Sequence, residues 1–150
     1  MTYADSGFVV SLYRPTESFS GMARREIKRA PVPVFLSPLS LLEIRNALNM
    51  AIARGEIGET ERDAVMADIE RQIAAGFFRA VQVSQAAIYA KACELSDSHT
   101  PAILARSLDL MHVAAALLCK ARLFLSTDTR QCKVARAEGL AVKPSMGTKE

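Results

Sequence analysis

Five short apolar runs constrain this chain more than any other feature: residues 2–4, 34–36, 78–83, 123–125 and 140–142. A strand that shows one face to water alternates polar with apolar residues, whereas a strand covered on both faces does not. These runs lack that alternation and are separated by segments of helical length. They predict an α/β fold, a three-layer α/β/α sandwich around a central parallel sheet. With no repeat and no low-complexity linker, residues 1–150 form a single domain.

The segments between the runs carry helix punctuation. A short apolar helix is expected over 8–13. A basic amphipathic stretch follows over 18–29, broken by Pro31 and Pro33. Pro38 opens a helix to Gly55 with Leu42, Ala47, Met50 and Ala51 on or near its buried side. A further helix over 60–75 stops at Gly76, and Ser84 caps one that ends near Leu95. Residues 96–106 are polar, contain Pro101 and read as a loop. Helices over 107–120 and 129–138 complete the pattern, the latter ended by Gly139.

Composition excludes several classes. The chain is 50% hydrophobic and 23% charged, as folded domains are, with a net charge of +3 that permits a nucleic-acid partner. No apolar run approaches the ~20 residues of a membrane span, so no membrane association is expected. No basic stretch leads into an apolar segment at the start, which points to the cytoplasm. Cys93, Cys119 and Cys132 have neither even number nor Cys-x-x-Cys spacing, and read as reduced thiols without zinc.

Parallel sheets work at the carboxyl ends of their strands. Four acids are expected there: Asp5 after the first strand, Glu43 in the first turn of the following helix, Asp109 in the first turn of the helix over 107–120, and Asp128 after the fourth strand. Each has a plain structural role available. Ser40-Leu41-Leu42-Glu43 fits a capping box, Asp109 suits a helix dipole, and Asp5 and Asp128 can cap helices. Converging together, however, four carboxylates repel unless a cation lies between them. An all-oxygen set suits Mg²⁺ or Mn²⁺. No nucleophile elbow accompanies the histidines, and Gly147-Thr148-Lys149 lacks the following helix of a phosphate-binding loop. A receiver-type phosphoryl acceptor needs an aspartate where Val83-Ser84 stands.

Tyr3-Ala4-Asp5-Ser6, Glu43, the Leu108-Asp109-Leu110-Met111-His112-Val113-Ala114-Ala115-Ala116 helix and Ser126-Thr127-Asp128-Thr129-Arg130-Gln131 together resemble a PIN domain. The likeness is strongest to VapC-like toxins of bacterial toxin–antitoxin pairs and covers essentially the whole chain in order. It implies a metal-dependent endoribonuclease in which Asp5, Glu43, Asp109 and Asp128 are the catalytic and metal-binding acids. Ser126 would assist near the metal or the scissile phosphate, and Ser6 would line the same pocket. The resemblance also implies a cytoplasmic homodimer silenced by a cognate antitoxin in a groove beside the site. A non-catalytic PIN-like binding or regulatory module, its acids merely capping helices, is the alternative.

Other residues carry two readings. His112, one helical turn from Asp109, is either a core histidine or a group that orients that carboxylate. The basic residues at 14–29 and 120–150 form either a solvated face or an RNA track. Arg130 is the best single phosphate contact among them. Met22, Ile27, Leu48 and Ile52 either line an apolar groove for the antitoxin or pack in the core.

Overall fold

The computed structural model describes residues 1–145. The chain runs β1 (Thr2–Ala4), α1 (Ser6–Tyr13), α2 (Ser20–Arg29), β2 (Val34–Leu36), α3 (Pro38–Ala53), α4 (Glu59–Ala74), β3 (Phe78–Ala80), α5 (Gln85–Ile103), α6 (Ser107–Leu118), β4 (Leu123–Leu125), α7 (Thr129–Ala137) and β5 (Ala141–Lys143). All five strands are parallel, in the order β3-β2-β1-β4-β5. The expected three-layer sandwich is therefore the observed one. The Gly147-Thr148-Lys149 stretch lies outside the described residues.

Side chains along β1, β2 and β4 alternate between two apolar layers, which is why those runs carry no polar register, whereas the edge strands β3 and β5 expose Arg79 and Lys143. Tyr3, Phe35 and Phe124 point into a layer with α5, α6 and α7. Ala4, Val34, Leu36 and Leu125 point into the other, against Phe8, Ile44, Leu48 and Ile69 from α1, α3 and α4. Tyr3 and Phe124 stack with ring centroids 5.6 Å apart, across the β1–β4 pair. Burying each such aromatic contributes roughly 1.5–3 kcal/mol.

Gly55, Gly76 and Gly139 all adopt positive φ just beyond the ends of α3, α4 and α7, the left-handed exit that glycine makes without strain. Ser84 caps α5 through the Ala87 N–H.

Three local expectations are overturned. Residues 96–103 are helix rather than loop. The apolar stripe Ile88, Ala92, Leu95 continues at helical spacing through His99, which takes an apolar-looking place by pairing with Glu138 at 2.7 Å. Pro101 stands in the last turn of α5, so the N–H it lacks and any kink it causes affect only the end of the helix. In α3 the buried stripe is Ser40, Ile44, Leu48 and Ala51, so Leu42 and Met50 face outward, 64% and 52% exposed. Finally, the N-cap of α3 is Ser37, boxed reciprocally with Ser40. Glu43 therefore stands in the second turn and caps nothing.

Candidate active site

β1 is the centre of the sheet. From it the chain moves outward to β2 and β3 on one side, and later returns to place β4 and β5 on the other. The crevice beyond the carboxyl ends of β1 and β4 is therefore the topological switch point, where such sheets bind ligands. Asp5 leaves β1 there and Asp128 follows β4 there.

Asp5 is 2% exposed. One carboxylate oxygen accepts the Phe8 N–H at 2.7 Å and the other accepts the Ser126 hydroxyl at 2.6 Å. Burial pushes its carboxyl above the ordinary range. The His112 ring, the Ser126 hydroxyl and the Phe8 N–H pull it back, and the Asp128 charge adds to the rise. Asp128 takes the Arg130 and Gln131 N–H groups on one oxygen, at 2.9 and 3.0 Å. Its own N–H donates to Ser126 Oγ at 3.0 Å. Ser126 is thus a buried peg between two acids. Its hydroxyl donates to the Asp5 carboxylate and accepts the Asp128 backbone N–H, and none of its surface is exposed.

Asp109 lies in the first turn of α6, as expected, and is 3% exposed. Its Oδ2 accepts the Arg106 backbone N–H at 2.9 Å, with Arg106 Nε at 3.4 Å, and its Oδ1 accepts Gln131 Nε2 at 3.3 Å. Glu43 comes from the opposite side. Its Oε1 takes the Nε2–H of His112 at 2.6 Å, while His112 Nδ1 is 2.8 Å from the Tyr3 hydroxyl. That hydroxyl in turn lies 3.0 Å from Ser37 Oγ and 3.3 Å from Ser40 Oγ. His112 therefore orients Glu43, not Asp109. The reason is geometric: Asp109 in the first turn reaches back to the helix N-terminus, whereas His112 points across to α3.

All four acids line one cleft of about 660 Å³, together with Ser6, Thr127, Arg106 and Gln131. A second recess of about 490 Å³ shares Ser6, Glu43 and Thr127 with it and extends to Arg14, Phe19 and Met50. The side chain of Arg130 lines neither. Of Met22, Ile27, Leu48 and Ile52, two follow the core reading. Leu48 is fully buried and Ile27 packs on the same core.

The cleft fits a hard divalent cation in its donor chemistry, since its acidic groups are all oxygen ligands. One buried side-chain atom among the described residues has no hydrogen-bond partner, Gln131 Oε1, and Gln131 lines this cleft. An unpartnered carbonyl oxygen there is a further acceptor for a cation or its water. Among the described residues, no three carboxylate, histidine or cysteine side chains are drawn tightly enough together to enclose an ion.

Four participants were missed from sequence: Arg106, Gln131, Tyr3 and Thr127. Arg106 stands three residues before Asp109 and Gln131 three residues after Asp128, the spacing of a helix first turn. That spacing was the available signal. Tyr3 gave none, because a buried strand aromatic reads as core.

The arrangement defines a parallel α/β domain with an acidic cleft at its switch point. The PIN domain family profile matches residues 2–137, and the chain belongs to that family. Among solved structures it is similar to VapC20 of Mycobacterium tuberculosis, described as a sarcin–ricin-loop-cleaving toxin. There the TM-score is 0.71 at 19% identity, covering 94% of this chain and 97% of that one. It is also similar to FitAcB of Neisseria gonorrhoeae, with a TM-score of 0.65 at 18% identity over 95% and 96% of the two chains. FitAB bound to an IR36 DNA fragment gives 0.63 at 18% identity over 95% and 93%. No curated protein sequence matches the chain. Among the described residues no helix is long and apolar enough to cross a membrane.

Proposed function

We propose that the chain is a divalent-metal-dependent endoribonuclease, the toxin of a toxin–antitoxin pair. The observation that carries this reading is the convergence of Asp5, Glu43, Asp109 and Asp128 on one cleft of a PIN-family fold. The likeness to VapC20 and FitAcB supports the fold, and VapC20's action on the sarcin–ricin loop makes RNA the natural candidate substrate; an antitoxin partner is part of the proposal. A cytoplasmic homodimer completes the proposal.

Asp5, Glu43, Asp109 and Asp128 would hold Mg²⁺ or Mn²⁺. Such an ion supplies charge to the phosphate oxygens and lowers the pKa of a bound water. Ser126 holds Asp5 and Asp128 in one register by donating to the first and accepting from the second. His112 fixes the rotamer of Glu43, and the buried Tyr3–Ser37–Ser40 cluster fixes His112. Glu43, about a third exposed and accepting no helix-capping N–H, is available to align a water or take its proton. Ser6, on the cleft wall, is available to a substrate phosphate.

A second reading also has an observation behind it. Asp5, Asp109 and Asp128 each accept N–H groups at a helix start, as they would in a binding module that carries out no chemistry. Glu43 caps nothing, which favours the nuclease. Purified protein, free of any partner, is expected to cleave single-stranded or looped RNA in Mg²⁺ or Mn²⁺ and to stop in excess EDTA. Cleavage undiminished by EDTA removes the metal mechanism, and no cleavage of any RNA with Mn²⁺ present favours the module.

A further inference from the structure

The acidic cleft contains one cationic side chain among its described lining residues, Arg106. Its Nε lies 3.4 Å from Asp109 Oδ2 and its Nη2 lies 3.8 Å from Asp128 Oδ2. The guanidinium thus bridges two of the four acids, where a divalent cation would compete with it. Both contacts are longer than the 2.7–2.9 Å of a tight charge-assisted bond, and the side chain is 68% exposed. Arg106 is held most tightly by its backbone, whose N–H donates to Asp109 at 2.9 Å. The root of the side chain is anchored at the cleft mouth while its head is free to move. Arg130, the other candidate for a phosphate, does not line the cleft.

We infer that Arg106 is an exchangeable counter-ion and then a phosphate grip. Without a divalent cation it neutralises Asp109 and Asp128. When those carboxylates are taken by the cation, its guanidinium is released to hold a phosphate of the RNA backbone beside the cleft. The inference rests on the nuclease reading above and adds the residue that couples metal uptake to substrate binding. A planar five-donor fork suits a phosphate, and an exposed pair at these distances is cheap to break.

The two halves of the inference predict effects of opposite sign from one substitution. Removing a competing cation strengthens metal binding, and removing a phosphate donor weakens RNA binding. By calorimetry, Arg106→Ala is expected to bind Mn²⁺ roughly two- to five-fold more tightly than wild type, in keeping with an exposed ion pair. A fluorescein-labelled single-stranded RNA can be titrated by anisotropy in Ca²⁺, with the RNA checked to be intact. There Arg106→Ala should bind about ten-fold more weakly. Its log Kd against log salt should be shallower by about 0.7, one phosphate contact on a single strand. Arg106→Lys keeps the charge and loses the fork. It should return Mn²⁺ affinity to the wild-type value while restoring RNA affinity only in part.

The failures separate. Wild type that takes up no Mn²⁺ overturns the nuclease reading and Arg106 with it. Wild type that binds Mn²⁺ while Arg106→Ala binds it equally or more weakly overturns the counter-ion role alone. An unchanged RNA affinity and salt slope overturns the phosphate grip.

Discussion

Asp5 shows how a single buried carboxyl ties stability to the proposed chemistry. Its pKa is raised by burial, so in the metal-free protein it binds its proton more tightly than in the unfolded chain. The native state then holds more protons than the unfolded one, and stability falls as pH rises from the unfolded Asp value near 3.9 through the raised one. Asp5→Asn removes that penalty. In EDTA at pH 7 it is expected to melt above wild type, with the two converging below about pH 4, where the wild-type carboxyl is also neutral. A lower melting temperature at pH 7 contradicts this account of Asp5. His112 acts in the opposite sense. Its two ring nitrogens serve Tyr3 and Glu43 from a fully buried position, so His112→Leu removes a hydrogen bond from each partner. Urea unfolding in EDTA should show a loss of about 1–3 kcal/mol. Mn²⁺ affinity should fall by on the order of ten-fold as Glu43 loses its orientation. Unchanged Mn²⁺ affinity in the folded variant removes His112 from the positioning of Glu43.

At the scale of elements, the connection from α5 to α6 carries local strain that a substitution can relieve. Leu104 sits at φ 58°, the left-handed region, 72% exposed, one residue past the end of α5. Leu104→Gly should therefore stabilise the protein by about 1 kcal/mol in chemical denaturation, since little packing is lost. Destabilisation would mean that the leucine side chain packs in solution. This same region was the least legible part of the sequence. Five polar residues and Pro101 hid the helical stripe because His99, a polar residue, occupies one of its inward positions and meets Glu138. Leu42 and Met50 misled in the opposite way, as apolar residues on an outward face of α3. The inner strands β1, β2 and β4 were legible because burial on both faces leaves a continuous apolar run. Asp5, Asp109 and Asp128 were legible because strand ends and helix starts are marked by short-range signals. Which acid each neighbour serves was not, since the His112–Glu43 contact joins residues 69 positions apart.

For the whole molecule, the strand order β3-β2-β1-β4-β5 does the gathering. It brings residues from the beginning and the end of the chain, Asp5 and Asp128, to adjacent strand ends, and it folds α3 and α6 over them with Glu43 and Asp109. Such a concentration of carboxylates is tolerated through helix N–H groups, Ser126, His112 and Arg106, and is suited to a divalent cation. Any ligand that binds only the native state raises its stability in proportion to the logarithm of its concentration. The central claim is that these acids form one cation site rather than three helix caps beside a separate glutamate. The measurement that tests it most directly is a pair of thermal melts, in EDTA and in Mn²⁺, on wild type and Asp109→Asn, read beside RNA cleavage. The account predicts that Mn²⁺ raises the melting temperature of wild type. It predicts that Asp109→Asn stays within about 0.5 kcal/mol of wild type in EDTA, with much of the Mn²⁺ shift and all of the cleavage lost. A variant that loses about 1 kcal/mol in EDTA as a missing cap would, yet responds to Mn²⁺ and cleaves RNA as wild type does, would contradict it.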